Sequence, residues 1–376
     1  MSGVVTYRGR VFDGTTLHPE AVFSFRDGTL IAVGVDDPGI GSGETVDLGD
    51  DILSPGYVDL QVNGGDGVMF NDDPSVATIR RIAAAHRSVG ATTILPTLIT
   101  DTVDKTNAAI EAAVRAVAEG VPGIAGLHLE GPHLSVARKG AHDPALIRPM
   151  TDADLATLLN AAERLPQLKV TVAPENVTPD QVQQLAQAGV LVSLGHSDAD
   201  YATCQAYATA GARCVTHLFN AMSQLGNREP GLVGAALADG GLSAGLIADG
   251  IHVHPDTIRL AWAAKQGPGQ IYLVSDAMAV AGTDNTEFML EGRRIKRQDG
   301  RLTLDNGTLA GADLDLTTAI RILHDKVGAP LVDALRAATA VPAALIGLHV
   351  ALTPGRTTLA NLIRISGDLS QARPLI

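Results

Sequence analysis

Short apolar runs alternate with longer stretches of helical composition from residue 54 to about residue 277. Runs of this kind are typical of buried parallel strands, and their alternation with helices is typical of βα units. Eight βα units in a row predict an α/β fold, a closed (β/α)8 barrel of the TIM type. The eight predicted strands are residues 57–63, 91–97, 124–130, 169–174, 190–196, 213–217, 242–249 and 270–276.

The two ends of the chain have a different pattern. Residues 1–53 contain short strand-like runs that end at Asp, Gly or Pro, and residues 348–376 return to the same pattern. We therefore predict that these segments form one small β-sandwich domain beside a barrel of residues 54–347. Asp-Gly and Asn-Gly pairs near residues 287–308 are typical of tight turns and predict a β-hairpin insertion after the eighth strand.

The chain is acidic, with 28 Lys and Arg against 41 Asp and Glu, a formal net charge of −13. An acidic surface repels nucleic-acid phosphates, which argues against that partner, although one local Arg or His cluster suffices for a small phosphate. No apolar run reaches the ~18 residues that cross a bilayer, and no apolar signal segment begins the chain, so we expect no membrane partner and a cytoplasmic location. Cys204 and Cys214 are too few for a disulfide framework and are expected to be buried thiols.

Polar side chains follow most of the predicted strands at the point where each strand ends. The active sites of (β/α)8 barrels lie at this C-terminal face, where the loops that follow the strands meet. A barrel with a purely structural role would not need chemically active residues at so many strand ends. The residues concerned are Gln61, Asn63, Glu130, Glu175, His196, His217, Asp249 and Asp276.

Three of these residues predict a metal site. Glu130, His196 and His217 match the His2Glu ligand set of catalytic zinc, which leaves a fourth position for water. Asp276 closes the eighth strand; beside a metal it would act as general base, and otherwise it would cap a helix. His128 lies two residues before Glu130 on the same strand face, and we interpret it as a structural residue of the barrel interior.

A second group of residues, on loops after the strands, is suited to a phosphorylated and hydroxylated ligand. Arg228 and His252 lie among glycines, where a ligand can approach the backbone closely. Arg138 and Lys139 are interpreted as solvated surface charges. The group consists of Arg138, Lys139, His142, Asn220, Arg228 and His252.

Eight motifs together resemble the N-acetylglucosamine-6-phosphate deacetylases, a branch of the amidohydrolase superfamily. Each motif is weak alone, but their order and spacing are specific, and KGAH, THLFNAM and DGIH point to the amino-sugar branch. The resemblance runs along nearly the whole barrel. The motifs are LSPGYVDLQVNGGDG, HLEGPH, KGAHDP, LGHSDA, THLFNAM, DGIHVH, VSDAM and GTLAGA.

The resemblance implies the same metal ligands as the strand ends do, with Asp276 as catalytic acid and base. It also implies that Arg228 and His252 reach the phosphate of the neighbouring subunit's substrate, so that the active unit is a homodimer. The residues that it places against the sugar phosphate are Ala141, His142, Asn220, Ala221, Arg228, Asp249, Gly250, Ile251, His252, Leu309, Ala310 and Gly311.

The sequence departs from the superfamily pattern at the first strand. Many members carry His-x-His there and bind two metals, whereas this chain has Gln61-Val62-Asn63. Amides are poor zinc ligands compared with imidazole, so we predict one tightly bound divalent metal per chain, zinc first, with iron, manganese or cobalt as alternatives. Gln61 and Asn63 would line the site or hold a weak second metal. His133 also departs from the usual residue after Glu-Gly-Pro, and its role is left open.

These features predict hydrolysis of N-acetyl-D-glucosamine 6-phosphate to D-glucosamine 6-phosphate and acetate. Asp276 would take the proton of the attacking water and return it to the leaving amine. Three alternatives stay open: the same reaction on the galactosamine epimer, hydrolysis of a cyclic amide, and a barrel that binds sugar phosphate without turnover. Cyclic-amide hydrolases usually need His-x-His and a bridging lysine, and no predicted strand end carries either.

Overall fold

The computed structural model describes residues 3–34, 43–290, 292–305, 307 and 309–376. Parts of the predicted small domain (residues 1–2 and 35–42) and of the predicted insertion (residues 291, 306 and 308) lie outside this range. The strands are β1 (Val4–Phe12), β2 (Leu17–Arg26), β3 (Thr29–Val33), β4 (Glu44–Pro55), β5 (Tyr57–Val62), β6 (Gly64–Gly65), β7 (Val68–Met69), β8 (Ala91–Ile99), β9 (Leu127–Glu130), β10 (Leu168–Val172), β11 (Leu191–Leu194), β12 (Cys214–Val215), β13 (Ser243–Leu246), β14 (Ile271–Leu273), β15 (Glu287–Leu290), β16 (Arg293–Gln298), β17 (Arg301–Leu304), β18 (Leu309–Ala312), β19 (Leu362–Ile365) and β20 (Ala372–Pro374).

Side-chain caps explain where several helices begin. The Thr151 and Thr178 hydroxyls each accept a hydrogen bond from the third residue of the helix that follows, and both complete a capping box. Asp200 caps the next helix in the same way. The helices are α1 (Val76–Ser88), α2 (Val103–Ala118), α3 (Asp152–Arg164), α4 (Pro179–Gln187), α5 (Tyr201–Ala210), α6 (Gly231–Ala238), α7 (Pro255–Ala264), α8 (Leu316–Ile322), α9 (Leu331–Ala338) and α10 (Ala340–Leu345).

Eight parallel strands, β5 and β8 to β14, form the barrel, and the predicted fold class is confirmed. The strands neighbour each other in chain order, as successive βα units require. Each of the eight predicted runs coincides with one of these strands. The barrel closes where β5 meets the end of β14: the backbone N–H of Asp276 donates to Gln61 O at 3.1 Å, and that of Asn63 donates to Ala277 O at 3.0 Å.

A chain of hydrogen bonds crosses the barrel interior beneath its C-terminal rim. The Thr97 hydroxyl gives its proton to Leu95 O at 3.1 Å, so it accepts from His128, whose Nδ1 lies 3.2 Å away. The other nitrogen of His128 then accepts from the Thr171 hydroxyl at 2.7 Å. Burial, helped by the charge of Lys169, holds the pKa of His128 well below its usual value. Both ring nitrogens are thus occupied, which agrees with a structural role for this histidine.

The two terminal segments form one continuous six-stranded sheet in the described residues, in the order β20-β19-β4-β1-β2-β3. Two packed sheets were expected from the sequence. The register of β1 against β4 shifts between Arg8 and Arg10, which lets a single sheet bend over a core of its own. That core contains Tyr7, Val11, Phe23, Phe25, Leu30, Leu48, Leu53 and Leu362. The division of the chain at residues 53 and 348 stays a prediction.

The antiparallel sheet β15 to β18 follows the last barrel strand and remains attached to the barrel rim. Its core of Phe288, Leu290 and Ile295 packs with Met278 of the barrel loop. At its far end, Nη2 of Arg293 donates to Ala141 O at 3.3 Å. The sheet therefore spans part of the rim, from the loop after β14 to the loop after β9.

Cys204 and Cys214 are buried free thiols, as expected. Burial raises the pKa of Cys204 to about 12 and that of Cys214 to about 11, so both stay protonated at neutral pH. Among the described helices, none has both the length and the apolar composition that crossing a bilayer requires.

Candidate active site

Residues singled out from the strand ends converge at the C-terminal rim of the barrel. Glu130 is the last residue of β9, whereas His196, His217 and Asp276 lie just beyond β11, β12 and β14. These three have backbone φ angles of 48°, 31° and 50°, in the left-handed region that residues other than glycine rarely adopt. Strained backbone of this kind is concentrated at functional sites, where the surrounding fold holds it in place.

Three polar atoms of the rim lie within hydrogen-bond distance of one another. Oε1 of Glu130 lies 3.0 Å from Nε2 of His196 and 3.1 Å from Nε2 of His217, and the two nitrogens are 3.0 Å apart. Nδ1–H of His196 donates to the backbone carbonyl of Arg138 at 2.8 Å, so its Nε2 presents a lone pair. Carboxylate and imidazole lone pairs at this spacing repel each other unless a proton or a metal cation lies between them. The donor set therefore fits a divalent metal of the kind that two histidines and a glutamate hold.

His142 borders this cluster and offers a different chemistry. Its Nε2 lies 4.0 Å from Oε1 of Glu130, and with Glu130 and His196 it forms another group close enough to hold a metal. However, the backbone N–H of Thr100 donates to Nδ1 of His142 at 3.3 Å, so the neutral ring carries its proton on Nε2. Burial, with the nearby His196, lowers the pKa of His142 to about 3. His142 therefore faces the site as a neutral N–H donor, whereas Nε2 of His217 lies nearer to Oε1 of Glu130, at 3.1 Å.

Asp276 lies partly buried beside the cluster and is held by two amides. Its Oδ1 accepts from Nε2 of Gln61 at 3.0 Å and from Nδ2 of Asn63 at 2.7 Å. Burial, together with the negative charge of Glu130, raises the pKa of Asp276 to about 6. A carboxyl group with a pKa near neutrality can accept a proton and return it, as acid–base catalysis requires. Gln61 and Asn63 contact the carboxylates through their N–H groups, and their amide oxygens are buried without a hydrogen-bond partner.

The segment that follows β13 brings a histidine beside Asp276. Oδ1 of Asp249 accepts the backbone N–H groups of Ile251 and His252, each at 2.8 Å, and its Oδ2 lies 2.5 Å from Nδ1 of His252. This pairing turns Nε2 of His252 away from Asp249. The charge of His252 also lowers the pKa of Asp276 of the same chain, by less than burial and Glu130 raise it.

The remaining residues expected at the substrate lie on three further segments. Asn220 donates through Nδ2 to His217 O and Leu218 O, both at 3.3 Å, so it belongs to the loop that carries His217. Ala221 follows with a φ of 49°. Gly311, in β18, packs against Met278 so closely that a Cβ would lie 2.5 Å from its Cγ, and only glycine fits there. Ala141 contacts the insertion sheet through Arg293.

Arg228 lies on the exposed loop of residues 224–229, apart from the buried cluster. The same loop exposes Leu225, with 60% of its surface accessible. No ion pair of Arg228 is seen among the described residues. An unpaired guanidinium beside an exposed leucine is suited to contact with another molecule.

Several polar residues near the strand ends support loops and do not enter the cluster. Glu175 accepts from the Ser197 hydroxyl at 2.8 Å and from Asp198 N at 2.7 Å, which holds the loop after His196. Arg138 pairs with Asp198 at 2.7 Å while its carbonyl orients His196. Nδ1 of His133 lies 3.0 Å from the Arg148 carbonyl, so this histidine turns away from the site. The ammonium group of the half-buried Lys139 donates to Gly140 O at 3.3 Å.

Thr100 was missed by the sequence reasoning. The predicted second strand ended at Thr97, whereas β8 continues to Ile99, and Thr100 is the residue that follows its true end. The rule that found the other site residues would therefore have selected Thr100 had the strand been extended by two residues.

Known proteins resemble this chain along most of its length. Residues 52–365 match the Amidohydrolase family. An N-acetylgalactosamine-6-phosphate deacetylase of Shewanella sp. (strain ANA-3) is 44% identical over 294 residues, 78% of this chain and 74% of the relative. An N-acetylglucosamine-6-phosphate deacetylase of Haemophilus influenzae is 35% identical over 308 residues, 81% of this chain and 80% of the relative.

A solved structure has the same fold. The crystal structure of N-acetylglucosamine-6-phosphate deacetylase from Pasteurella multocida superimposes with a TM-score of 0.90 at 31% identity, covering 98% of this chain and 97% of that one. The barrel, the strand-end cluster and these likenesses agree with the resemblance drawn from the motifs. The chain belongs to the amidohydrolase family.

Proposed function

We propose that this protein hydrolyses the acetamide of N-acetyl-D-glucosamine 6-phosphate, giving D-glucosamine 6-phosphate and acetate. One observation carries the proposal: Oε1 of Glu130 and the Nε2 atoms of His196 and His217 lie 3.0 to 3.1 Å from one another, beside the partly buried carboxylate of Asp276. A metal site next to a proton acceptor is what amide hydrolysis at neutral pH needs. The named relatives act on acetylated amino-sugar phosphates, which supports the same substrate class here.

One divalent metal per chain would be held by Glu130, His196 and His217. Two imidazoles and a carboxylate favour zinc, and the same donors accept iron, manganese or cobalt. When bound, such a cation supplies Lewis acidity that polarises an adjacent oxygen. Nδ1 of His217 is buried without a hydrogen-bond partner. The polar contacts of this ring are made by Nε2, which faces Glu130 and His196.

Asp276 moves the proton in this scheme. As a carboxylate it accepts a proton from the water that attacks the acetyl carbonyl, and it then donates that proton to the C2 amine as the C–N bond breaks. A pKa raised to about 6 serves both steps, since neither protonation state is far from accessible at neutral pH. Nε2–H of His142 is suited to donate to the carbonyl oxygen as negative charge develops on it.

The phosphate would be bound by Arg228 and His252 of a neighbouring chain, in a homodimer. The exposed position of Arg228, next to Leu225 on residues 224–229, supports contact with a second copy. The other residues proposed to contact the sugar phosphate are Ala141, His142, Asn220, Ala221, Asp249, Gly250, Ile251, Leu309, Ala310 and Gly311. We also propose that the protein acts in the cytoplasm and binds neither membrane nor nucleic acid.

The galactosamine epimer is a second candidate substrate, favoured by the relative that is 44% identical to this chain. A deacetylation assay on both 6-phosphates and on unphosphorylated N-acetylglucosamine separates the possibilities. We expect the highest kcat/KM for the gluco 6-phosphate. A clear preference for the galacto 6-phosphate would replace the proposed substrate by its epimer, and no acetate from any of the three would overturn the function.

A further inference from the structure

Two buried amides, Gln61 and Asn63, occupy the positions at which many members of the superfamily carry the His-x-His pair that helps to bind a second metal. Gln61 lies in β5 and Asn63 just beyond it, and their exposed fractions are 0% and 2%. Residues two apart on a strand share one face, so both side chains enter the barrel from the same side. Hydrogen bonds between the β5 backbone and residues 276 and 277 hold this face beside Asp276.

The amide nitrogen of Gln61 joins two carboxylates. Nε2 lies 3.0 Å from Oδ1 of Asp276 and 3.1 Å from Oε2 of Glu130. An amide NH2 has two hydrogens, and here each carboxylate receives one. Asn63 contacts only one of the two carboxylates, with Nδ2 at 2.7 Å from Oδ1 of Asp276.

The orientation of both amides is determined by these acceptors. Turning either amide over would set its carbonyl oxygen against a carboxylate oxygen, and the two would repel. In the observed orientation, Oε1 of Gln61 and Oδ1 of Asn63 are buried without a partner. A buried acceptor left without a donor is unfavourable, so the donor contacts outweigh that cost.

We propose that Gln61 and Asn63 are positioning residues that give each carboxylate one held oxygen and one working oxygen. Oδ1 of Asp276 is held by both amides, which leaves Oδ2 to exchange the proton. Oε2 of Glu130 is held by Gln61, which leaves Oε1 toward the two imidazoles. Gln61 thus couples the metal-ligand carboxylate to the base, whereas Asn63 acts on the base alone. The inference rests on the proposed function for the role of Asp276.

The two residues should therefore have different signatures when replaced. In Asn63→Ala we expect kcat to fall about 10- to 100-fold, with KM and the zinc affinity of the apoprotein within about twofold of wild type, because only the base is released. In Gln61→Met we expect a similar loss of kcat together with about 10-fold weaker zinc binding, since a residue that orients a metal ligand affects affinity. Zinc binding is measured by calorimetry on apoprotein, which does not depend on turnover.

Gln181→Met is the matched control, because this part-buried amide caps α4 on the outside of the barrel and donates to Met150 O at 3.1 Å. It should change neither kcat nor zinc affinity. Gln61→Leu and Asn63→Leu also remove the donors without adding a charge or a metal-binding oxygen, and they serve if the first variants do not fold. Three results would each overturn this division of roles. The first is a wild-type kcat in the folded Asn63 variants, the second is weaker zinc binding in Asn63→Ala, and the third is unchanged zinc binding in Gln61→Met. Absence of deacetylation by the wild type would refute the proposed function, while the calorimetry would still test the Gln61–Glu130 contact.

Discussion

Thr100 directs its backbone N–H at Nδ1 of His142, 3.3 Å away, and its hydroxyl lies 2.8 Å from the same nitrogen. Because a backbone N–H can only donate, Nδ1 has no proton, and the hydroxyl must donate to it as well. Nε2 then carries the only ring proton and faces Glu130. A residue outside the metal cluster therefore determines how His142 can act on a substrate.

Replacing Thr100 by valine keeps the shape of the side chain and removes the stronger of these two contacts. We expect kcat to fall about 10-fold, because the ring is held less firmly as an N–H donor toward the developing oxyanion. The metal content should not change, since His142 is not a ligand in this scheme. Steady-state kinetics with elemental analysis test both points. Thr157→Val is the control, because the Thr157 hydroxyl donates to Ala153 O within α3, at 2.9 Å. Loss of the metal in Thr100→Val would instead place His142 among the ligands.

The convergence of Glu130, His196 and His217 at the rim could be predicted from the sequence because one rule applies to every strand of the fold. In a parallel barrel all strand ends point to the same face, so an Asp, Glu or His at an apolar run's end is directed to a common rim. The rule worked even for β12, which has only two residues. It failed for Glu175, because β10 ends at Val172 and the next three residues turn away toward the loop after His196.

The proton positions and the roles of the amides could not be predicted in this way. The tautomer of His142 depends on Thr100, forty-two residues away in sequence. The orientation of Gln61 depends on Glu130 and Asp276, which lie on two other strands. Such properties follow from distances between side chains on different βα units, and a strand pattern carries no information about them.

Asp276→Asn keeps the shape of the side chain but removes its ability to accept a proton. We expect turnover to fall at least ~10²-fold while zinc binding and substrate binding survive. Rapid-quench or steady-state measurement of acetate release gives the rate, and equilibrium dialysis of the intact substrate gives its affinity. Turnover near that of the wild type would exclude Asp276 as the base.

The pH dependence of the wild type offers a second test of Asp276. Its pKa is raised to about 6, and only the deprotonated carboxylate can act as base. The value of kcat/KM should therefore drop as the pH falls through about 6 and should level off above it. This acidic limb should be missing from the residual activity of Asp276→Asn. If kcat/KM of the variant still fell in the same way near pH 6, the titrating group would be a residue other than Asp276.

One tightly held divalent ion per chain is expected, because the proposed ligand atoms of Glu130, His196 and His217 lie 3.0 to 3.1 Å from one another and surround a single position. Gln61 and Asn63 use their N–H groups at the position where a second metal would need donor oxygens or nitrogens. Chelation should abolish turnover, and one equivalent of zinc should restore it. Elemental analysis that finds two ions surviving dialysis would contradict this expectation.

Arg228→Ala tests phosphate recognition and assembly together. A guanidinium binds a phosphate with two parallel hydrogen bonds, so its loss should raise KM for the 6-phosphate by about 10- to 100-fold and leave the KM for the unphosphorylated sugar almost unchanged.

If Arg228 serves the neighbouring site, then mixing Arg228→Ala chains with Asp276→Asn chains creates dimers in which one site receives both intact residues. Random exchange should restore about a quarter of the wild-type sites, measured as acetate release at low substrate concentration. Native mass spectrometry confirms that subunits have exchanged. Exchange without any recovery would mean that Arg228 serves its own chain or does not contact the phosphate.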